Sequence, residues 1–165
     1  MKGGVEVVAA RPAWGRLAPP CRRLLLRLRR ALRCPTAGVT VLLAPDGTVR
    51  RLNRRYLGHD RVTDVLSFPA GDEGPAGERH LGDIAIAVPR AARQARRARW
   101  SLGDEMALLV THGFLHLLGH DHETDDGTMR RLEADLLRRT AGVRLERRAV
   151  PWGEPAAPAR PPGGQ

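Results

Sequence analysis

At 165 residues the chain has the length of one domain, enough to bury a core without disulfide or metal staples. Hydrophobic residues make up 42% and aromatic ones only 4%, which excludes a disordered chain and predicts a core of Leu, Val, Ile and Ala. The formal charge of +10 and the pI near 11.4 come from arginine, since Lys2 is the single lysine; such a surface suits a polyanion such as nucleic acid, although a biased genome produces the same Arg and Ala richness.

In chain order, residues 5–8 read as a first short strand, and Pro12, Pro19 and Pro20 mark a loop after it. Residues 21–34 then read as an amphipathic helix, with Cys21, Leu24, Leu25, Leu28 and Leu32 on one face and arginines on the other. On that helix Cys21 and Cys34 are about 20 Å apart at ~1.5 Å per residue, so they cannot pair. Two unpaired thiols point to a reducing compartment, here the cytoplasm. The apolar run 5–10 is too short for a targeting segment and contains Glu6. No membrane span is expected, because arginines interrupt the leucine-rich stretch throughout.

Residues 39–43 are β-branched and apolar, a strand closed by the turn residues Pro45, Asp46 and Gly47. A helix capped by Asp46 follows, with Val49, Leu52 and Tyr56 on one side. Residues 65–68 and 81–88 are two further strands, separated by a glycine-bearing loop at 71–77. A basic helix is expected at 90–99. Ser101 with Asp104 resembles a capping box, opening a helix that carries Met106, Leu109 and Val110. A last helix at 125–139 has Met129, Leu132 and Leu136 as its core stripe. The alternation predicts an α+β domain over 1–149, with a mixed sheet of about four strands flanked by helices. Residues 150–165 are rich in Pro, Ala and Gly and read as a disordered tail.

Four of the six histidines fall between His112 and His122. Two histidines four apart on a helix project from one face, which lets two imidazoles reach one zinc ion at ~2.0–2.1 Å. Gly119 is placed to end that helix in a left-handed conformation, so that the chain doubles back and His122 becomes the third ligand. Three nitrogens with an open fourth position describe a catalytic rather than a structural zinc. The spacing around the glycine matches the metzincin pattern H-E-x-x-H-x-x-G-x-x-H. His120, also four residues after His116, is the competing ligand and is placed second, at the rim.

Where zinc proteases carry a proton-accepting glutamate, this chain has Gly113. A mid-helix glycine is about 1 kcal/mol worse than alanine, so its space is expected to serve something else, and a phosphodiester close to the backbone is the candidate.

The run from His112 to His122, read as H-G-x-L-H-L-x-G-x-D-H, resembles the signature of the YbeY family of bacterial endoribonucleases. Leu52-Asn53-x-x-Tyr56, Thr63-Asp64-Val65-Leu66-Ser67-Phe68-Pro69 and Leu81-Gly82-Asp83-Ile84 resemble its upstream motifs in order. The resemblance spans roughly residues 39–137. It implies a single-strand-specific endoribonuclease with one Zn2+ per chain, held by His112, His116 and His122 in a basic cleft. It further implies action in 16S rRNA 3'-end maturation and ribosome quality control, with RNA and the small ribosomal subunit as partners.

Leu57 departs from the family pattern, in which an arginine commonly follows the aromatic residue. Arg55, His59 and Arg61 are therefore the candidates for phosphate stabilisation. Asp64, Ser67 and Asp121 are candidates for lining the cleft or for orienting metal-bound imidazoles. The competing reading is a non-catalytic RNA-binding ribosome-assembly factor that uses the metal to hold its fold. A zinc protease is disfavoured by Gly113 and by the basic surface. Oligomeric state is not legible in the sequence.

Overall fold

The computed structural model describes residues 3–71, 79–121, 126–150 and 152. In chain order it contains β1 (Val5–Ala9), a 3-10 turn (Pro12–Leu17), α1 (Ala18–Ala31), β2 (Gly38–Ala44) and α2 (Asp46–Leu57). There follow β3 (Val65–Pro69), β4 (His80–Ala87), α3 (Val88–Ala98), α4 (Leu102–Leu117), α5 (Thr128–Ala141) and a short 3-10 turn (Leu145–Arg147). The strands form one sheet in the order β1-β2-β4-β3. β1, β2 and β4 are parallel neighbours, whereas β3 runs antiparallel to β4 at the edge. The expected α+β class and mixed four-stranded sheet are therefore present.

Period-two alternation divides the strand side chains between two cores. Val39, Val41 and Leu43 of β2 and Ile84 and Ile86 of β4 face α1, α4 and α5 in the larger one. Ala44, Ala85 and Ala87 join Val49 of α2 in a smaller one on the opposite face. A register shift between Gly38 and Val39 leaves one extra residue on β4, and this bulge brings Leu81 to the same core as Ile84 despite its parity. Gly82 makes the bulge possible: its φ is +141°, and a Cβ there would run into the Phe68 carbonyl.

α1 buries Cys21, Leu24, Leu25 and Leu28, each leucine contributing about 1.5–3 kcal/mol relative to exposure. The helix begins earlier than the prolines suggested, because proline in a first helical turn forfeits no hydrogen bond. Pro19 and Pro20 lie inside α1, and the helix ends at Ala31. Cys34 therefore lies beyond the helix that carries Cys21, and both thiols are free.

Asp46 does not cap α2: the N-cap is Pro45, without a side-chain cap. Its carboxylate instead accepts from the Arg90 backbone N–H at 3.1 Å and from Arg93 Nη2 at 2.6 Å, tying α2 to α3. Tyr56 is exposed rather than part of the core, and its ring meets Phe68 of β3 edge-on with centroids 5.6 Å apart. Ser101 does cap α4, its Oγ accepting from the Asp104 backbone N–H at 3.0 Å. α5 starts three residues after the predicted position, at Thr128; residues 122–125 lie outside the described residues. Among the described residues no helix is long and apolar enough to cross a membrane.

Candidate metal centre

α4 is apolar on nearly every side, with Met106, Leu108, Leu109, Val110, Phe114, Leu115 and Leu117 all buried, as expected of a helix held between layers. It packs on β3 and β4 through one face and on α1, α3 and α5 through the others. Its last two turns carry His112 and His116. The four-residue spacing stacks the two imidazoles, with Nε2 atoms 3.0 Å apart and rings inclined at 79°.

Behind His112 stands a residue that the sequence motifs do not mark. Glu133 of α5 is 1% exposed, and its Oε1 lies 2.9 Å from His112 Nδ1. With the Nδ1–H donating to this carboxylate, the Nε2 lone pair is left facing His116. A signal for Glu133 was available: Met129, Leu132, Glu133, Leu136, Leu137 and Thr140 follow one helical stripe, which sets a carboxylate on a buried face. A buried carboxylate without a partner is strongly disfavoured, so its presence there points to a donor on the neighbouring helix.

The donor set fits a small tetrahedral cation. Two nitrogens each ~2.0–2.1 Å from one ion stand roughly 3.3 Å apart, close to the observed 3.0 Å. The carboxylate on the far nitrogen of His112 is the partner that metal-ligating imidazoles ordinarily have. The third expected ligand, His122, lies outside the described residues. Gly119, two residues past α4, has φ +92°, and His120 N–H turns back to the Leu115 carbonyl at 3.1 Å, so the chain leaves the helical path where the glycine predicted. His120 is half-buried and Asp121 exposed at this turn.

The space at Gly113 is occupied by protein rather than reserved for a phosphodiester. A Cβ there would stand 2.9 Å from Ile84 Cγ2 and 3.2 Å from Ser67 Oγ, so the glycine lets α4 lie close against β3 and β4. Ser67 donates to the Gly113 carbonyl at 3.1 Å and pins the histidine-bearing turn to the edge strand. Asp64 is not at the histidines. Its Oδ1 accepts from the Val65 backbone N–H at 2.8 Å, and the Gln94 amide nitrogen, oriented as its neighbours require, lies 3.1 Å from Oδ2 and 3.0 Å from Glu105 Oε1.

Arg55, His59 and Arg61 lie at and just beyond the end of α2 and are exposed. Arg55 covers the Tyr56 ring, and the Arg61 carbonyl accepts from buried Asn53 Nδ2 at 3.0 Å. Among the described residues, no hydrogen bond or ring contact joins any of the three to the imidazole pair. A groove of about 460 Å³ lined by Arg99, Trp100, Arg144 and Arg147 opens at the other end of α4.

Fold and site together define a small α+β protein whose central helix presents a convergent imidazole pair backed by a buried carboxylate. Comparison narrows that class. Residues 21–141 match the family described as Endoribonuclease YbeY. The protein named Endoribonuclease YbeY in Thermus thermophilus is 46% identical over 124 residues, covering 74% of this chain and 88% of the relative. Its counterpart in Moorella thermoacetica is 41% identical over 145 residues, covering 78% and 92%. The solution structure of TM1509 from Thermotoga maritima superposes with a TM-score of 0.59 at 25% identity, covering 84% of this chain and 90% of that one. The chain belongs to the endoribonuclease YbeY family.

Proposed function

We propose that this chain is a zinc-dependent, single-strand-specific endoribonuclease acting in 16S rRNA 3'-end maturation and ribosome quality control. It would work in the cytoplasm on RNA of the small ribosomal subunit, with one zinc ion held by His112, His116 and His122. The observation that carries the reading is the pair of Nε2 atoms 3.0 Å apart with Glu133 on the far nitrogen of His112. Family membership supplies the reaction class.

A zinc ion bound there supplies a water of lowered pKa and a Lewis acid for a phosphate oxygen. The protein's own part is orientation: Glu133 selects the tautomer and direction of His112, while Ser67 holds the Gly113 carbonyl and with it the turn between the histidines. Position 113 offers no proton acceptor, which sets the site apart from zinc proteases. The arginine excess contributes phosphate binding.

The test is cleavage of single-stranded RNA by purified protein with and without zinc, beside His116→Ala at matched metal loading. Zinc-dependent cleavage that His116→Ala abolishes supports the enzyme. The second reading, a metal-stabilised RNA-binding assembly factor, draws on the contact between α4 and α5 through His112 and Glu133. It predicts that chelation unfolds the domain and that no cleavage occurs in any state.

A further inference from the structure

The chain after α5 turns back along α4. Gly142 ends α5 with φ +66°, Val143 packs with Leu108 and Leu137, and Arg148 then re-enters the protein. Its guanidinium meets Glu105 of α4, with Nη2 3.1 Å from Oε1 and Nε 3.3 Å from Oε2. The side chains of this pair are 6% and 0% exposed, and Glu105 Oε2 also accepts from Trp100 Nε1 at 2.5 Å. The backbone is held as well, since Ala149 N–H donates to the Ala98 carbonyl at 2.8 Å and Arg148 Nη1 donates to the Val150 carbonyl.

Beyond this anchor Trp152, placed by composition in the tail, packs against the guanidinium at 5.7 Å. Its indole also meets the His112 ring edge-on, with centroids 5.2 Å apart and planes at 86°. Glu105 and His112 are seven residues apart, two turns along one face of α4, or about 10.5 Å of rise. The four residues from Arg148 to Trp152 reach at most about 14 Å, so an arginine fixed on Glu105 confines the indole to the neighbourhood of His112. A buried ion pair is by itself weak evidence of stabilisation, because apolar side chains fill such a site equally well. Here it sets where the following residues lie. The family match ends at residue 141, so Arg148 and Trp152 lie outside it while their partners Glu105 and His112 lie within it.

We propose that Trp152 is a positioning residue for His112: its indole bounds one side of the imidazole while Glu133 holds Nδ1, and together they direct Nε2 toward His116. The inference rests on the metal-centre reading above but concerns the ring's orientation with or without an ion. The test is histidine side-chain NMR on the metal-free full chain, followed by zinc affinity from chelator competition.

Trp152→Ala is expected to remove the ring-current shift of His112, to average its ring orientations, and to weaken zinc binding by about tenfold or more. Trp152→Phe restores most of both. The double substitution Arg148→Met with Glu105→Leu, which leaves no unpaired charge, moves the His112 resonances in the same direction as Trp152→Ala. Unchanged His112 resonances in Trp152→Ala overturn the proposal, as does unchanged zinc affinity in a wild type that binds zinc. Expected His112 shifts in a wild type that binds no zinc uphold the positioning and overturn the metal reading instead.

Discussion

Replacing Gly113 with alanine sets helix propensity against packing. In an unhindered helix alanine is better than glycine by about 1 kcal/mol. In α4 the new methyl group would stand 2.9 Å from Ile84 Cγ2, 3.2 Å from Ile84 Cδ1 and 3.2 Å from Ser67 Oγ. Ile84 is 1% exposed on β4, which lies between β2 and β3. Its Cγ2 branches directly from Cβ and moves only if a stiff χ1 rotates. The helix must therefore lift, at an overpacking cost of about 1–3 kcal/mol. The hydrogen bond from Ser67 to the Gly113 carbonyl is stretched, which removes up to about 1 kcal/mol more.

Central values of the three effects leave a loss of about 1.5 kcal/mol, and a melting temperature lower by roughly 3–6 °C for a chain of this size. Gly103→Ala is the internal control. It lies in the exposed first turn of the same helix, and its added Cβ meets nothing nearer than Ser101 Oγ at 3.7 Å, so it is expected to be neutral or stabilising by up to about 1 kcal/mol. Thermal and urea unfolding followed by circular dichroism measure both. A Gly113→Ala protein as stable as the Gly103→Ala control would refute the close-packing account and return the space at Gly113 to a substrate.

Glu133→Gln retains an acceptor for His112 Nδ1 but removes the charge; zinc affinity measured against a chelator is expected to fall about 10- to 100-fold, and an unchanged affinity would count against Glu133 as the orienting group. Burial pushes the Cys21 thiol from its ordinary 9.0 up to about 11. The folded protein thus keeps a proton that the unfolded chain releases, so stability is full below pH 9 and falls as pH rises to 11, by up to about 3 kcal/mol. Urea midpoints should show this slope in wild type and a flatter one in Cys21→Ala. With a formal charge of +10, RNA binding measured by anisotropy should weaken linearly in log Kd against log salt, with a slope of about 0.7 per phosphate contacted; salt-independent binding would show that the arginines do not engage the backbone.

Local chemistry determined much of this protein from the sequence alone. Period-two and helical patterns marked the strands and helices, Ser101 marked the start of α4, and the four-residue spacing placed His112 and His116 on one face, because each depends on residues within a turn or two. The resemblance to the YbeY family came from that histidine run and from three short upstream motifs between Leu52 and Ile84.

Contacts across the fold were decided only by the tertiary structure. Asp46 had the chemistry of a cap but was taken by Arg90 and Arg93 of α3, and Asp64 was drawn toward the Gln94 amide rather than the histidines. The room beside Gly113 was filled by Ile84, a residue nearly thirty positions earlier. Glu133 reached His112 because α5 packs on α4, and Trp152 reached it because Arg148 is buried against Glu105. Charges and volumes meet in space, and sequence spacing carries that information only where the backbone between them is a single regular element.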